Sequence, residues 1–285
     1  MKVSKSDQLL TAIAPAVWGS TYIVTTEFLS DYSPMTVAMF RALPAGLLLL
    51  LIVRQLPAGI WWLRIFILGA LNFSIFWSML FVSAYRLPGG VAATVGAVQP
   101  LIVIFLAAAM LGNTIRTVSV LAAMIGLTGV ALLVLTPQAA LDPVGIAAGL
   151  TGAVSMAFGT VLTRRWQPTV SLLTFTAWQL TAGGLLLVLA AVLVKPSVPV
   201  PTIPNLLGLV WLGLIGAALS YILWFRGIAR LDSAVVSSLG FLSPVTAVLL
   251  GWSFLDETLT GFQVVGVFLV IGSIWLGQCK PRKAR

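Results

Sequence analysis

The chain has no histidine and a single cysteine, Cys279, and these two shortages remove several chemistries at once. Transition-metal sites are built largely from imidazole and thiolate, so no His/Cys metal centre can form. An intramolecular disulfide needs a second cysteine, and a histidine proton relay has nothing to run on. Charge is also scarce: 8% of the 285 residues are Asp, Glu, Lys or Arg, and only seven of those are acidic. A membrane enzyme acting on lipids or peptides would need a nucleophile with a base, or a metal cluster. The apolar runs offer hydroxyls without imidazole and no carboxylate pair. Nothing matches Gly-x-x-x-x-Gly-Lys-Ser/Thr, so the chain carries no ATPase motor of its own. No enzyme activity, metal or cofactor is expected.

What is present is hydrophobic. Apolar residues make up 60% of the chain, and the mean hydropathy is +1.09. The solvent such a composition suits is a lipid bilayer. The formal net charge of +9 could point to nucleic acid, but its placement argues against that partner. The basic residues stand singly or in pairs between apolar runs, with one cluster at the tail: Lys280, Arg282, Lys283 and Arg285. Lys2 and Lys5 ahead of an apolar run resemble the start of a signal peptide. That run continues for about twenty residues and others follow it, so it reads as a first membrane span.

Apolar runs between charges and turn residues place ten spans near 8–28, 34–53, 60–84, 89–111, 116–136, 143–163, 170–194, 205–227, 233–254 and 261–278. Several begin with helix-start chemistry. Ser33-Pro34 and Asp142-Pro143 put a capping side chain before a proline in the first turn, and Thr260 with Gln263 fits a capping box. Ten spans leave both termini on one side. If that side is the cytoplasm, it collects Lys2, Lys5, Arg54, Arg64, Arg116, Arg164, Arg165, Arg226, Arg230 and the four tail residues, thirteen of the sixteen basic residues. The other side holds Arg86 and Lys195, and Arg41 falls inside a span. The positive-inside rule therefore favours cytoplasmic termini in a multi-pass cytoplasmic (inner) membrane protein.

Self-comparison finds the first half again in the second. Arg86-Leu87, Val91, Gly96 and Pro100 recur as Arg230-Leu231, Val235, Gly240 and Pro244, each at an offset of 144. Trp18-Gly19-Ser20 matches Phe158-Gly159-Thr160 at 140, and Ser33, Thr36, Gly46 and Leu47 match Ser171, Thr174, Gly184 and Leu185 at 138. Residues 1–139 and 140–285 are thus two copies. Each holds five spans, an odd number, so the second copy enters the membrane from the opposite side. The expected fold is all-α integral membrane, ten transmembrane helices in two inverted five-helix repeats. That symmetry lets one structure present equivalent outward and inward states.

The order of these features resembles the EamA type of the drug/metabolite transporter superfamily. The resemblance rests on Trp18-Gly-Ser, Arg41, the run from Arg86-Leu87 to Gln99-Pro100, its copy from Arg230-Leu231 to Ser243-Pro244, and Asp256-Glu257-Thr258. It covers essentially the whole chain. It implies a transporter that moves small metabolites, amino acids first among them, out of the cytoplasm. One departure is visible: the glutamate that precedes the last span of each repeat is Glu257 in the second copy and Asn113 in the first.

A carrier needs polar and aromatic groups that converge near the midplane. Spans 1, 3 and 4 and their copies 6, 8 and 9 are expected to supply them. The candidate cavity lining is Trp18, Asn72, Phe76, Trp77, Thr94, Gln99, Phe158, Ser220, Tyr221, Trp224, Ser238 and Ser243. The aromatic rings would stack on an apolar or aromatic body, and the amides and hydroxyls would bond a head group. Each has a structural alternative, since Ser and Thr often bond their own helix and aromatics fill cores. Gly96 with Pro100, and Gly240 with Pro244, are hinge candidates, because proline removes a backbone hydrogen bond and bends its helix. Arg41 lies about 10 Å along its span at 1.5 Å per residue. It could meet a substrate carboxylate, or else snorkel outward or pair with Glu27 or backbone carbonyls at the outer end. Gly145/Gly149 and Gly213/Gly216 read as small-residue packing faces.

The spans lack a deep carboxylate, which favours facilitated or weakly coupled movement by alternating access over a proton-coupled exporter of drugs or other metabolites. A non-transporting subunit of a larger complex, or a pore, stays open at this level. The partners expected are a small-molecule substrate and the lipid bilayer, with the protein a monomer or weak homo-oligomer.

Overall fold

The computed structural model describes residues 5–87, 89–134, 142–194, 198–255 and 258–278. The expected repeat boundary at 139/140, Asp256-Glu257, Cys279 and the basic tail lie outside them. Among the described residues, ten helices are long and apolar enough to cross a membrane. In the first half they are span 1 (Lys5–Phe28), span 2 (Pro34–Val53), span 3 (Trp61–Ser83), span 4 (Ala93–Leu111) and span 5 (Thr117–Val134). In the second half they are span 6 (Pro143–Arg165), span 7 (Leu172–Val194), span 8 (Ile203–Arg230), span 9 (Ser233–Phe254) and span 10 (Gly261–Gln278). Helices satisfy every backbone polar group internally, which hydrocarbon demands. Large apolar side chains such as Leu51, Leu193, Phe254 and Phe268 project outward, where lipid would meet them.

The caps follow the expected chemistry. Ser33 accepts from the Thr36 amide and Asp142 from the Gly145 amide. Thr260 and Gln263 bond each other's backbone amides reciprocally. Ser171, the repeat partner of Ser33, accepts from the Thr174 amide in the same way, so the duplication is visible down to a cap.

The two halves meet about a pseudo-two-fold axis. A Cβ built on Gly46 would lie 2.5 Å from the Thr181 amide nitrogen, and one on Gly184 would lie 2.7 Å from the Leu43 Cα. Leu43 and Thr181 are themselves repeat partners, so spans 2 and 7 touch through the same glycine contact made twice. Only glycine permits that approach of backbones. Gly145 and Gly149 likewise seat span 6 against Leu87, Val95 and Ser83.

Two features go beyond the sequence reading. Spans 3 and 8 each contain a π-helical stretch, Ala70–Ser74 and Trp211–Leu219, at matching repeat positions. Spans 4 and 9 are interrupted at 97–98 and 240–241, where the kinks were expected. Pro100 falls in the first turn of the restarted helix Gln99–Leu111, and Pro244 in that of Leu242–Phe254. In a first turn the missing N–H has no helical partner to lose, so a break suits proline better than a bend.

Candidate functional site

Spans 1, 3, 4, 6, 8 and 9 enclose a cavity of ≈ 430 Å³, with Arg41 reaching it from span 2. That volume lies in the range of roughly 300–1,000 Å³ usual for small-molecule sites. One wall is aromatic. The Trp18 ring centroid is 4.9 Å from that of Tyr221 and 5.0 Å from that of Trp224. Phe73 backs Tyr221 at 4.6 Å and Trp77 at 5.3 Å, so the outer rings rest on a fully buried one.

The π-helical stretches position the polar groups. Trp18 Nε1 donates to Ser220 Oγ at 2.9 Å, and Ser220 donates in turn to the Gly216 carbonyl at 2.8 Å. That carbonyl also accepts from Arg41 Nη2 at 2.7 Å. Arg41 Nη1 donates to Thr21 Oγ1 at 3.3 Å, and the guanidinium carbon sits 4.9 Å from the Trp77 ring centroid. The repeat makes a neutral version of this contact. Gln179, at the position of Arg41, accepts from Asn72 Nδ2 at 2.8 Å, and Asn72 is the repeat counterpart of Gly216. In each half, a span-2-type side chain meets the π-helical stretch of the other half.

Seven of the expected lining residues stand on the cavity wall: Trp18, Phe76, Trp77, Gln99, Tyr221, Trp224 and Ser243. The hinge candidates Gly96, Pro100, Gly240 and Pro244 line it too. Five expected residues do not. Asn72 is buried in the polar contact with Gln179 and Thr163, and Ser220 lies behind Trp18. Ser238 bonds its own helix at the Val235 carbonyl. Thr94 and Phe158 are half-buried off the wall. Arg41 turns inward and is 9% exposed, with a backbone carbonyl as partner, while Glu27 is exposed to the outside. Gly213 and Gly216 both face Arg41: a Cβ built on Gly213 would lie 3.9 Å from its backbone carbonyl oxygen, in ordinary contact with span 2, and one on Gly216 would lie 3.6 Å from its Nη2, so Gly216 makes room for that side chain. Sequence reasoning missed Thr21 and Tyr22, although they follow Trp18 at helical spacing and share its face. It also missed Ala153 and Met156 of span 6, which carry no polar or aromatic signal.

The cavity is treated differently at its two ends. Toward the face opposite the termini, a second cavity of ≈ 450 Å³ shares Thr21, Arg41, Trp77 and Leu80 with the first and reaches Ser30 and Pro34. Toward the termini, Asp7 of span 1 accepts from Arg226 of span 8 at 2.7 Å and from Arg230 at 3.3 Å. Arg164 Nη1 closes the same end by donating to the Ile228 and Leu231 carbonyls. The repeat counterpart of Arg230 is Arg86, which faces Asp142 at the opposite end across 3.6 Å, with both side chains largely exposed. A carboxylate–arginine pair thus stands at each end of the bundle, tight at one and stretched at the other.

The profile of the EamA-like transporter family matches this chain twice, over residues 6–135 and 143–277. The chain belongs to the EamA-like transporter family. It is 45% identical over 267 residues to protein PecM of Dickeya dadantii, covering 93% of this chain and 90% of that one. It is 29% identical to the uncharacterized inner membrane transporter YedA of Escherichia coli K12, with 93% and 90% covered. A probable amino-acid metabolite efflux pump of Salmonella typhimurium is 22% identical over 96% of this chain and 95% of its own. A crystal structure at 21% identity superposes with a TM-score of 0.79 over 96% of this chain and 97% of that one, a likeness of fold. The EamA-like chain is therefore a multi-pass membrane transporter, and its double match falls on the two halves that the glycine contacts and caps relate.

Proposed function

We propose that this EamA-like chain exports small metabolites with an aromatic or apolar body, amino acids among them, from the cytoplasm by alternating access. The observation that carries the reading is the aromatic-walled cavity where both repeats contribute side chains. The arrangement closes the cavity toward the termini and leaves it an avenue to the other face. With the termini in the cytoplasm of an inner membrane, this is the outward-facing state. Rocking the halves about the breaks in spans 4 and 9 would loosen Asp7 from Arg226 and Arg230 and bring Arg86 onto Asp142. The inverted repeat makes those two arrangements equivalent.

No acidic residue lines either cavity among the described residues. Among the described residues the path thus offers no carboxylate proton site, which favours facilitated or weakly coupled transport. The experiment is uptake into proteoliposomes with a panel of amino acids, nucleosides and cationic drugs, with and without a proton gradient, repeated for Trp18→Ala and Gln99→Ala. Saturable uptake of aromatic compounds that both substitutions weaken is the expected result. Strict dependence on a proton gradient would overturn the coupling assignment, and no uptake of any compound would overturn the carrier.

A further inference from the structure

We infer that Arg41 is the anion-recognising residue of the cavity, and that the cargo is an aromatic carboxylate without an obligatory ammonium group. The inference rests on the carrier reading above and narrows its substrate class.

Among the described residues lining the two connected cavities, Arg41 is the only ionised side chain. It makes no ion pair among the described residues, and its Nε is buried without a partner. Two further donors on the same wall are stranded in the same way, Trp224 Nε1 and Gln99 Nε2. Neither the guanidinium nor the indole nitrogen can accept a hydrogen bond in any orientation. The unmet demand of the wall is therefore for acceptors. A cation held in a low-dielectric wall without a counter-ion is costly, and an incoming carboxylate both neutralises it and offers four lone-pair sites. Trp77 lies under the guanidinium, whose edge bonds Thr21 Oγ1 and the Gly216 carbonyl and still has three of its five N–H groups to offer.

The scaffold does not require this charge. Gln179 fills the equivalent place in the second repeat, is buried, and bonds Asn72 away from the cavity. The charge appears only in the copy that opens to the cavity. An ammonium group gains much less there: it finds no carboxylate, only ring faces and neutral acceptors such as Gln99 and Ser243, and it shares the cavity with a like charge.

The test is counterflow in proteoliposomes with three labelled indoles of nearly one size. Indole-3-acetate carries a carboxylate, tryptamine an ammonium, and tryptophan both. Wild-type protein is expected to take indole-3-acetate at a half-saturating concentration at least about tenfold below the other two. Arg41→Gln, which installs the side chain of the second repeat, is expected to raise that concentration for indole-3-acetate by about 10- to 100-fold. That is the scale of a lost charge-assisted hydrogen bond. Tryptamine should stay within about twofold. Arg41→Lys keeps the charge without the planar fork and should recover part of the loss; it also carries the comparison if Arg41→Gln does not fold. An equal loss for all three indoles, or a wild-type preference for tryptamine, overturns the anion assignment while leaving the carrier intact. Saturable uptake of none of the three by wild-type protein overturns both.

Discussion

Asp7→Asn should shift the EamA-like chain toward the state open at the face of the termini. The Asp7 carboxylate is 15% exposed and lies 2.7 Å from an Arg226 nitrogen whose side chain is 23% exposed. A charge-assisted bond so sheltered contributes about 1.5–3 kcal/mol. The Arg230 arm, at 3.3 Å and 48% exposed, adds under about 1 kcal/mol. Asp7 also lies in the first turn of span 1, where the helix dipole favours a negative charge. That contribution is present in both states and cancels from the difference. Asparagine can still accept one weaker bond, so the bias lost is about 2 kcal/mol, or roughly 30-fold in the ratio of states. The readout is the rate at which an impermeant maleimide labels Ala93→Cys on the cavity wall, in a Cys279→Ser background, in vesicles of each orientation. Labelling from the termini side should rise at least about tenfold, while labelling from the other side holds or falls. Unchanged rates from both sides, or equal rises from both, would refute the gate.

Asp142→Asn can keep the cap on span 6 and weakens the pair with Arg86, which is stretched here and tightens in the other state; with one exposed arginine in place of two, its effect in the same assay should be opposite in sign and below about fivefold. Trp18→Phe keeps the ring and loses the bond to Ser220; affinity for aromatic cargo should fall about three- to tenfold, less than for Trp18→Ala, as titration of cargo-dependent fluorescence quenching would show. Gly46→Leu drives a side chain into the span 7 backbone and should abolish monodisperse protein in detergent. Gly96→Ala meets nothing within 4 Å and should leave melting unchanged; a fall in turnover without a fall in melting temperature would mark Gly96 as a hinge.

The fold could be read from the sequence because its strongest signals are long and repeated. Ten apolar runs and a repeat offset of 138 to 144 placed the spans and paired Arg86 with Arg230 before any contact was known. The aromatic side of the cavity was legible too, since Trp18, Trp77, Tyr221 and Trp224 are large residues on spans that must converge. The polar residues were harder. A buried Asn, Ser or Thr can face a cavity or a neighbouring helix at equal cost. Sequence cannot say that Asn72 turns to Gln179 or that Ser220 sits behind Trp18. Arg41 was the sharpest such case. Its partner is a backbone carbonyl made available where span 8 becomes π-helical, and Trp211–Leu219 carries no residue pattern that announces it. The ion pairs at the ends of the bundle were hidden for another reason: Asp7 and Arg226 are 219 residues apart, and only the packing of span 1 on span 8 joins them.

The central claim is that two opposed repeats carry cargo by exposing one cavity to alternate sides. Counterflow tests it most directly: proteoliposomes are loaded with unlabelled indole-3-acetate or left empty, and entry of labelled indole-3-acetate is followed at zero membrane potential. The account predicts that internal cargo accelerates entry and drives a transient overshoot, because the loaded carrier reorients and returns with a second molecule. Entry at the same rate with and without internal cargo would show an open pore and contradict alternating access.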